Sequence, residues 1–212
     1  MIVFTLYTTP LSANGRKPLA VSHWLGLAPE IRLVNVYAGE GRAPSYLAIN
    51  PLGKIPTLVD GDFALSESNA ILVYISEAYG GLRLFSRDPR ARADILRWLF
   101  WESSHWQPAL SLVLAPIVGH RLLPKVLPAP AGGPDWQNAQ LAPQLAHLEA
   151  QLAGRAFLAG SELSLADFSV AGMTTYFRAA DFPFGAYPNI GAWCGRIEAL
   201  DAWRASADPL WS

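Results

Sequence analysis

Cysteine is almost absent from this sequence, which has Cys194 alone among its 212 residues. One cysteine excludes a disulfide within the chain, a CxxC redox pair and a cysteine-rich zinc site. The four histidines show no HxxxH or HxxE spacing, so we expect no bound metal. Cys194 lies in an apolar run with helical spacing, which favours a buried structural thiol over a nucleophile.

The sequence also has almost no net charge and no long apolar run. The 16 basic and 17 acidic residues give a net charge of −1, whereas nucleic-acid binding rests on a basic surface. No uninterrupted apolar run reaches the ~18 residues that cross a membrane, and the first ten residues lack the basic start of a signal peptide. We therefore expect a soluble, cytoplasmic protein with neither nucleic acid nor membrane among its partners.

Strand and helix patterns alternate over the first eighty residues. Short β-branched or aromatic runs predict strands at 2–7, 31–36, 57–60 and 63–65. Helical spacing predicts helices at 16–25, 44–49 and 67–79, with Pro18 in the first turn of the first one. Gly61-Asp62 predicts a hairpin turn between the last two strands. The order βαβ followed by ββα predicts a mixed α/β unit over residues 1–80.

The pattern becomes helical from about residue 88 onward. Asp88-Pro89 opens a helical pattern that continues to about residue 119, and further helices are predicted at 136–153 and 188–200. Ser164 and Asp167 match a capping box at the start of another helix, which gives Asp167 a structural role. The second unit, over residues 88–212, is therefore predicted to be all-helical.

Three polar segments of the first unit carry residue types that bind a peptide-like anion. Ser12 and Asn14 follow the first strand, where a hydroxyl, an amide and free backbone N–H groups stabilise negative charge at a helix start. A simple helix cap is the alternative for both residues. Glu67 and Ser68 open a later helix, where a carboxylate can bind an amino group and a hydroxyl can bind a carboxylate. A capping box is the alternative there.

The third segment, NPLGKIP at residues 50–56, ends directly before a predicted strand. A cis bond before Pro56 would expose the N–H and C=O groups of Ile55 to a peptide-like ligand. X–Pro bonds in folded proteins are cis only ~5% of the time, so composition alone favours the trans form.

In this order and spacing, NPLGKIP, the later SESNAI and the SLADFS of the helical unit closely resemble the cytosolic glutathione S-transferases. The resemblance covers essentially the whole chain. It implies a thioredoxin-like α/β domain joined to an all-α helical bundle, and a homodimer with each active site in the cleft between the two domains. It also implies glutathione as co-substrate and a small electrophile as second substrate.

The resemblance assigns glutathione-binding residues one by one. Pro56 matches the family's cis-proline, and Ile55 matches the residue whose backbone pairs with the cysteinyl unit of glutathione. Glu67 and Ser68 match the pair that binds the γ-glutamyl amino and carboxylate groups. Basic positions near the glycyl carboxylate correspond to Lys54 and to Arg42.

The catalytic hydroxyl differs between classes of the family. LSANGRK is close to the serine-type phi and theta pattern, and Ser12 with Asn14 has the i, i+2 spacing of the bacterial nu pattern. Tyr7 ends the first strand, where tyrosine-type classes place their phenol, although four residues separate it from Ser12. We expect Ser12 to activate the glutathione thiol with Asn14 in support, and Tyr7 is the alternative.

An aromatic stripe in the helical unit suggests where the second substrate binds. Trp98, Trp101 and His105 are spaced to share a helix face, and Trp106 is adjacent. We expect Trp101, His105 and Trp106 to line an apolar pocket, although such stripes more often belong to a core. Trp203 and Trp211 either cover the cleft or pack beside it.

The expected activity is conjugation of glutathione to an apolar or aromatic electrophile. Two alternatives remain on the same scaffold. One is a glutathione-dependent peroxidase or disulfide reductase, and the other is a ligand-binding protein without catalysis. The intact set of Ser12, Asn14, Lys54, Glu67 and Ser68 favours an enzyme, because a scaffold has no physical need for these residues together.

Overall fold

Four short strands form one mixed sheet near the start of the chain. The structure, a computed structural model, describes residues 4–208 and 210. The strands are β1 (Thr5–Thr8), β2 (Glu30–Leu33), β3 (Thr57–Asp60) and β4 (Phe63–Leu65), in the sheet order β2-β1-β3-β4. β1 runs parallel to β2 and antiparallel to β3, which forms a hairpin with β4.

The first three helices accompany this sheet and confirm the predicted βαβ–ββα order. They are α1 (Ala13–Leu25), α2 (Pro44–Leu47) and α3 (Ser68–Ala78). Leu6 of β1 and Leu58 of β3 are paired on neighbouring strands and are fully buried. Because side chains alternate along a strand, the core lies on the face of the sheet that carries these two leucines. The first strand extends to Thr8, and positions 2 and 3 of the prediction lie outside the described residues.

Helix α1 begins three residues earlier than its sequence pattern predicts. Ser12 is its N-cap, and the Ser12 side chain accepts a hydrogen bond of 3.3 Å from the N–H of Gly15. The prediction that Pro18 lies in the first turn is therefore wrong, since Pro18 occupies the second turn. The helix begins at Ala13 because the Ser12 cap satisfies the backbone N–H of Gly15, which has no partner within the first turn.

The remaining helices form the all-helical part of the fold. They are α4 (Pro89–Trp101), α5 (Gln107–Leu122), α6 (Ala142–Gln151), α7 (Leu165–Thr174), α8 (Pro188–Glu198) and α9 (Asp201–Ala205). The structure shortens the helix predicted at 136–153 to α6. Within the described ranges 4–208 and 210, none of the helices combines the length and apolarity needed to cross a bilayer.

A π-helical segment, Glu102–Trp106, joins α4 to α5 and interrupts the predicted continuous helix. A π-helix places residues five apart in register. Trp101 and Trp106 accordingly stack, with ring centroids 5.4 Å apart and planes inclined at 21°. A π-helical turn contains one residue more than an α-helical turn, which changes the side chains that share a face after Trp101. The i, i+3, i+7 spacing that begins at Trp98 therefore does not continue to His105.

The predicted capping box at α7 is confirmed and extends into a buried cluster. The carboxylate of Asp167 accepts hydrogen bonds from the Ser164 N–H and hydroxyl, each 3.0 Å long. It also accepts from the Leu158 N–H and from the indole N–H of Trp193, again at 3.0 Å. Asp167 thus ties the loop before α7 to α8.

Helix α1 connects the sheet to the helical part by packing on α3, α7 and α9. Lys17 of α1 runs directly over Gly172 of α7, where an added Cβ would lie 2.5 Å from Lys17 Cε. The absence of a side chain at residue 172 therefore makes room for the lysine stem. The ammonium group lies beside Ser68 of α3 and Glu102, the residue that follows α4.

Candidate active site

A cleft of about 730 Å³ opens between the α/β part and helices α4 and α5. Six of the eight residues predicted for catalysis or glutathione binding line it: Asn14, Lys54, Ile55, Pro56, Glu67 and Ser68. The facing wall includes Leu99, Phe100, Glu102, Ser103, Gln107 and Pro108. Ser12 and Arg42 are outside the lining, and Arg42 is exposed at the end of a short 3-10 helix.

The Ile55–Pro56 peptide bond is cis, as the family resemblance implies. The loop before it is held by the Tyr46 hydroxyl and the Asn50 amide, which donate to the Lys54 carbonyl at 2.6 and 2.9 Å. Within the described part of the chain, no hydrogen bond uses the N–H or C=O of Ile55. The backbone of Ile55 therefore offers one donor and one acceptor at the cleft.

Glu67 has a backbone conformation that side chains rarely adopt, with φ 67° and ψ 110°. It precedes α3 at the N-cap position, yet its side chain makes no capping hydrogen bond. The structure thus gives no support to a capping box at Glu67. A non-glycine residue in such a region costs about 1–3 kcal/mol, and such strain concentrates at functional sites. In this conformation Glu67 lines the cleft and makes no side-chain bond to the end of α3.

Replacing Glu67 with glycine is expected to stabilise the fold while weakening glutathione binding. Glycine adopts a positive φ without a steric cost, so the free energy of unfolding should rise by about 1 kcal/mol and the melting temperature by about 2–4 °C. Thermal unfolding and calorimetric titration with glutathione measure the two effects. Glu67→Ala is the matched control, because it removes the carboxylate but keeps Cβ. A rise in melting temperature for Glu67→Ala as large as for Glu67→Gly would contradict a strained backbone.

The Ser12 hydroxyl lies among other hydroxyl groups at the start of α1. Burial raises the pKa of Tyr37, and hydrogen bonding to Ser12 and to Tyr176 opposes that shift. The Tyr176 hydroxyl accepts from the Ala13 N–H at 2.9 Å and donates to the Leu11 carbonyl at 3.2 Å. The first backbone donor of the helix is therefore already used by Tyr176, and the Ser12 hydroxyl accepts from the N–H of Gly15.

Asn14 is the member of the predicted pair whose side chain lines the cleft. Its Oδ1 atom accepts a hydrogen bond of 3.3 Å from the Ser68 hydroxyl. The two segments that the sequence predicts to bind an anion, at the starts of α1 and α3, are thus joined directly by side chains.

Tyr7, the alternative thiol activator, points away from these residues. Its hydroxyl accepts from Arg32 Nη1 at 3.0 Å, and its ring lies 5.8 Å from that of Tyr46. Tyr7 is not part of the cleft lining. The alternation of side chains along β1 puts Leu6 and Thr8 on the buried face and Tyr7 on the other face.

A buried ion pair that the sequence patterns do not reveal lies beneath the cleft. Lys17 Nζ is 2.8 Å from Glu102 Oε1, and both side chains are inaccessible to solvent. Burial lowers the pKa of Lys17, and the neighbouring Glu102 carboxylate opposes that shift. Asn69 donates to Glu102 Oε2 at 3.0 Å, and Ser169 donates to Asn69 at 2.7 Å. The network joins α1, α3, α7 and the π-helical segment.

Comparison with known proteins places these features in a family. The N-terminal domain model of glutathione S-transferase matches residues 6–83, and the C-terminal domain model matches residues 106–196. Glutathione S-transferase F10 of Arabidopsis thaliana is 33% identical over an alignment of 216 positions, which covers 96% of this chain and 95% of that protein. Glutathione S-transferase 3 of Zea mays is 37% identical over an alignment of 222 positions, which covers 99% of this chain and 96% of that protein. The chain belongs to the glutathione S-transferase family.

Solved structures agree with this membership. Glutathione transferase F7 from Populus trichocarpa has a TM-score of 0.79 to this chain at 31% sequence identity, over 96% of this chain and 97% of that one. The predicted fold, a thioredoxin-like α/β part followed by an all-α part, is therefore confirmed.

In this glutathione S-transferase, the aromatic residues predicted to bind the second substrate do not line the cleft. Trp106 is fully buried and donates its indole N–H to the Val170 carbonyl, while Trp101 packs against Trp98 and Trp106. His105 is exposed on the π-helical segment. The expectation for these residues is therefore corrected, since Trp106 lies in the core and Trp101 is half-buried against it. The cleft wall is formed instead by Leu99, Phe100 and Pro108.

Cys194 is buried, as predicted for a structural thiol. Burial raises the pKa of Cys194 to about 12, which leaves the thiol protonated at neutral pH. Among the residues that the structure describes, no three histidine, cysteine, aspartate or glutamate side chains are grouped to hold a metal ion. Trp203 packs in the core, and Trp211 lies outside the described residues.

Proposed function

We propose that this glutathione S-transferase binds glutathione along the α/β wall of its cleft and conjugates it to an apolar electrophile on the helical wall. The observation that carries the proposal is the cleft itself, which gathers Asn14, Lys54, Ile55, Glu67 and Ser68 in one place. Ile55 pairs with the cysteinyl backbone. Glu67 binds the γ-glutamyl amino group, and the backbone N–H of Ser68 at the start of α3 binds the γ-glutamyl carboxylate, because the Ser68 hydroxyl already donates to Asn14. Lys54 attracts the glycyl carboxylate. A similar role for the exposed Arg42 rests on the family resemblance alone.

In this proposal the glutathione thiol is activated by Asn14, which lines the cleft, and by Ser12, whose role rests on the family resemblance because it lies outside the lining. A thiol with a pKa of ~8.5 is only a few per cent thiolate at neutral pH, and lowering that pKa by ~2 units requires about 2.7 kcal/mol. One hydrogen bond to a charged group contributes about 1.5–3 kcal/mol, and a helix N-terminus adds up to about 1 kcal/mol. A hydroxyl and an amide at the start of α1 are therefore sufficient in magnitude. The thiolate then attacks the electrophilic carbon of the second substrate.

Removing the Ser12 hydroxyl is expected to reduce turnover much more than glutathione binding. Ser12→Ala should lower kcat/KM about tenfold to a hundredfold, since one hydrogen bond to the thiolate is lost. The loss of the helix cap should also lower the free energy of unfolding by about 1 kcal/mol. Kinetics with an aromatic electrophile, calorimetry with glutathione and thermal unfolding separate these effects.

Tyr7→Phe is the control for Ser12→Ala, because it removes a hydroxyl that faces Arg32 instead of the cleft. A loss of turnover confined to Tyr7→Phe would overturn the assignment of Ser12. Failure of the wild-type protein to bind glutathione would overturn the enzyme proposal as a whole. Running a cumene hydroperoxide assay beside the conjugation assay distinguishes a transferase from a peroxidase.

The organisation of the active protein is also part of the proposal. The chain divides into a glutathione-binding domain over 1–80 and an electrophile-binding domain over 88–212, and it acts as a cytoplasmic homodimer. The two family models support the division into domains, and the cytoplasmic homodimer rests on the family resemblance. Sedimentation of the purified protein should give twice the chain mass of 23.0 kDa.

A further inference from the structure

The chemistry of Lys17 restricts how the side chains on the cleft floor can be bonded. The Lys17 ammonium is fully buried, 2.8 Å from Glu102 and 3.5 Å from the Ser68 hydroxyl oxygen. An ammonium group has three donors and no acceptor. The Ser68 oxygen must therefore accept from Lys17, and its single proton is directed to another partner.

That partner is Asn14. The Ser68 hydroxyl lies 3.3 Å from Asn14 Oδ1, the acceptor end of the carboxamide. With Oδ1 held by Ser68, the Nδ2 group of Asn14 is left over, and no residue in the described part of the chain accepts a hydrogen bond from it. Asn14 and Ser68 both line the cleft. The free donor is thus presented where glutathione is proposed to bind.

We propose that Lys17 is a positioning residue, which acts through Ser68 to hold the Asn14 amide N–H toward the glutathione sulfur. The inference rests on the proposed function. Without Lys17 the Ser68 hydroxyl is free to turn and to accept from Asn14 Nδ2. The carboxamide then presents its oxygen to the sulfur, where lone pairs repel a thiolate. Lys17 never touches the substrate, so its effect is expected on the thiol pKa.

The geometry around Lys17 limits the substitutions that can test this role. Gly172 leaves room for the lysine stem but for little more, since an added Cβ would lie 2.5 Å from Lys17 Cε. Lys17→Met keeps an unbranched side chain in that space. Glu102→Gln keeps an acceptor for Asn69, which donates to Glu102 Oε2. The double variant K17M/E102Q removes one charge of each sign, so the net charge near the cleft is unchanged.

The charged groups around the cleft are Lys17, Lys54, Glu67 and Glu102. The test measures the pH dependence of kcat at saturating glutathione, which reports the thiol of the bound complex, together with the thiolate absorbance of bound glutathione. K17M/E102Q should raise the thiol pKa and lower kcat at neutral pH about threefold to tenfold. The loss should disappear at alkaline pH.

Ser68→Ala breaks the same relay without touching the buried ion pair, and it should raise the thiol pKa in the same direction. The triple variant K17M/S68A/E102Q should raise the thiol pKa no more than K17M/E102Q or Ser68→Ala does alone. An unchanged thiol pKa in Ser68→Ala overturns the relay, even where the double variant does not fold. Additive shifts in the triple variant also overturn it. Wild-type protein that binds no glutathione refutes the proposed function instead, which calorimetry reveals before any variant is made.

Discussion

Lys17→Met is expected to lower the free energy of unfolding by about 3–5 kcal/mol. The substitution leaves the Glu102 carboxylate fully buried, with a hydrogen bond from Asn69 but without its counter-charge. Removing one partner of a buried pair is costly because the remaining charge stays desolvated. Urea or thermal unfolding of the purified variant measures the loss.

The double variant K17M/E102Q is the control for this loss. It removes both charges, so most of the stability should return, because replacing a whole buried pair is often neutral. A double variant as unstable as Lys17→Met would show that the unpaired Glu102 charge does not carry the effect. Recovery of stability together with a raised thiol pKa would separate the structural role of Lys17 from its positioning role.

Asp167→Ala is expected to destabilise the protein by a similar amount, about 3–5 kcal/mol. The carboxylate accepts hydrogen bonds from Ser164, Leu158 and Trp193, and none of these donors is exposed where water could replace it. Removal of the acceptor leaves the buried donors unsatisfied, at about 1–3 kcal/mol each before relaxation. Thermal unfolding measures the loss, and glutathione affinity should change little because Asp167 lies outside the cleft.

Asp167→Asn is the conservative control. It keeps one acceptor oxygen in the same volume, so it should destabilise the fold by less than Asp167→Ala. Equal losses for the two variants would mean that the charge of Asp167, and not its accepting geometry, holds α7 against α8. Retention of wild-type stability in Asp167→Ala would contradict a structural role for this residue.

Local chain chemistry accounts for the parts of the fold that sequence patterns predicted correctly. The β3–β4 hairpin lies at the predicted residues because Gly61 supplies a positive φ of 60° at the turn. The α7 capping box forms between residues three apart, so the sequence carries the whole interaction. Such features need no information from distant segments.

The cleft was predictable in its α/β wall and not in its helical wall. Lys54, Ile55, Glu67 and Ser68 lie in short motifs whose resemblance to a family carries their positions. The helical wall depends on where α4 ends, and the π-helical segment shifts the register after Trp101. No periodicity in the sequence announces that extra residue, since Trp98, Trp101 and His105 fit an ordinary helix equally well.

The sequence by itself determined the family, the order of the elements and most of the α/β residues that line the cleft. The single cysteine already excluded a disulfide or a CxxC redox pair within the chain. Only the tertiary structure decided that Lys17 is buried against Glu102, because α1, α3, α7 and the π-helical segment meet there from distant parts of the chain. A lysine is normally solvated, and its burial depends on a partner that is 85 residues away.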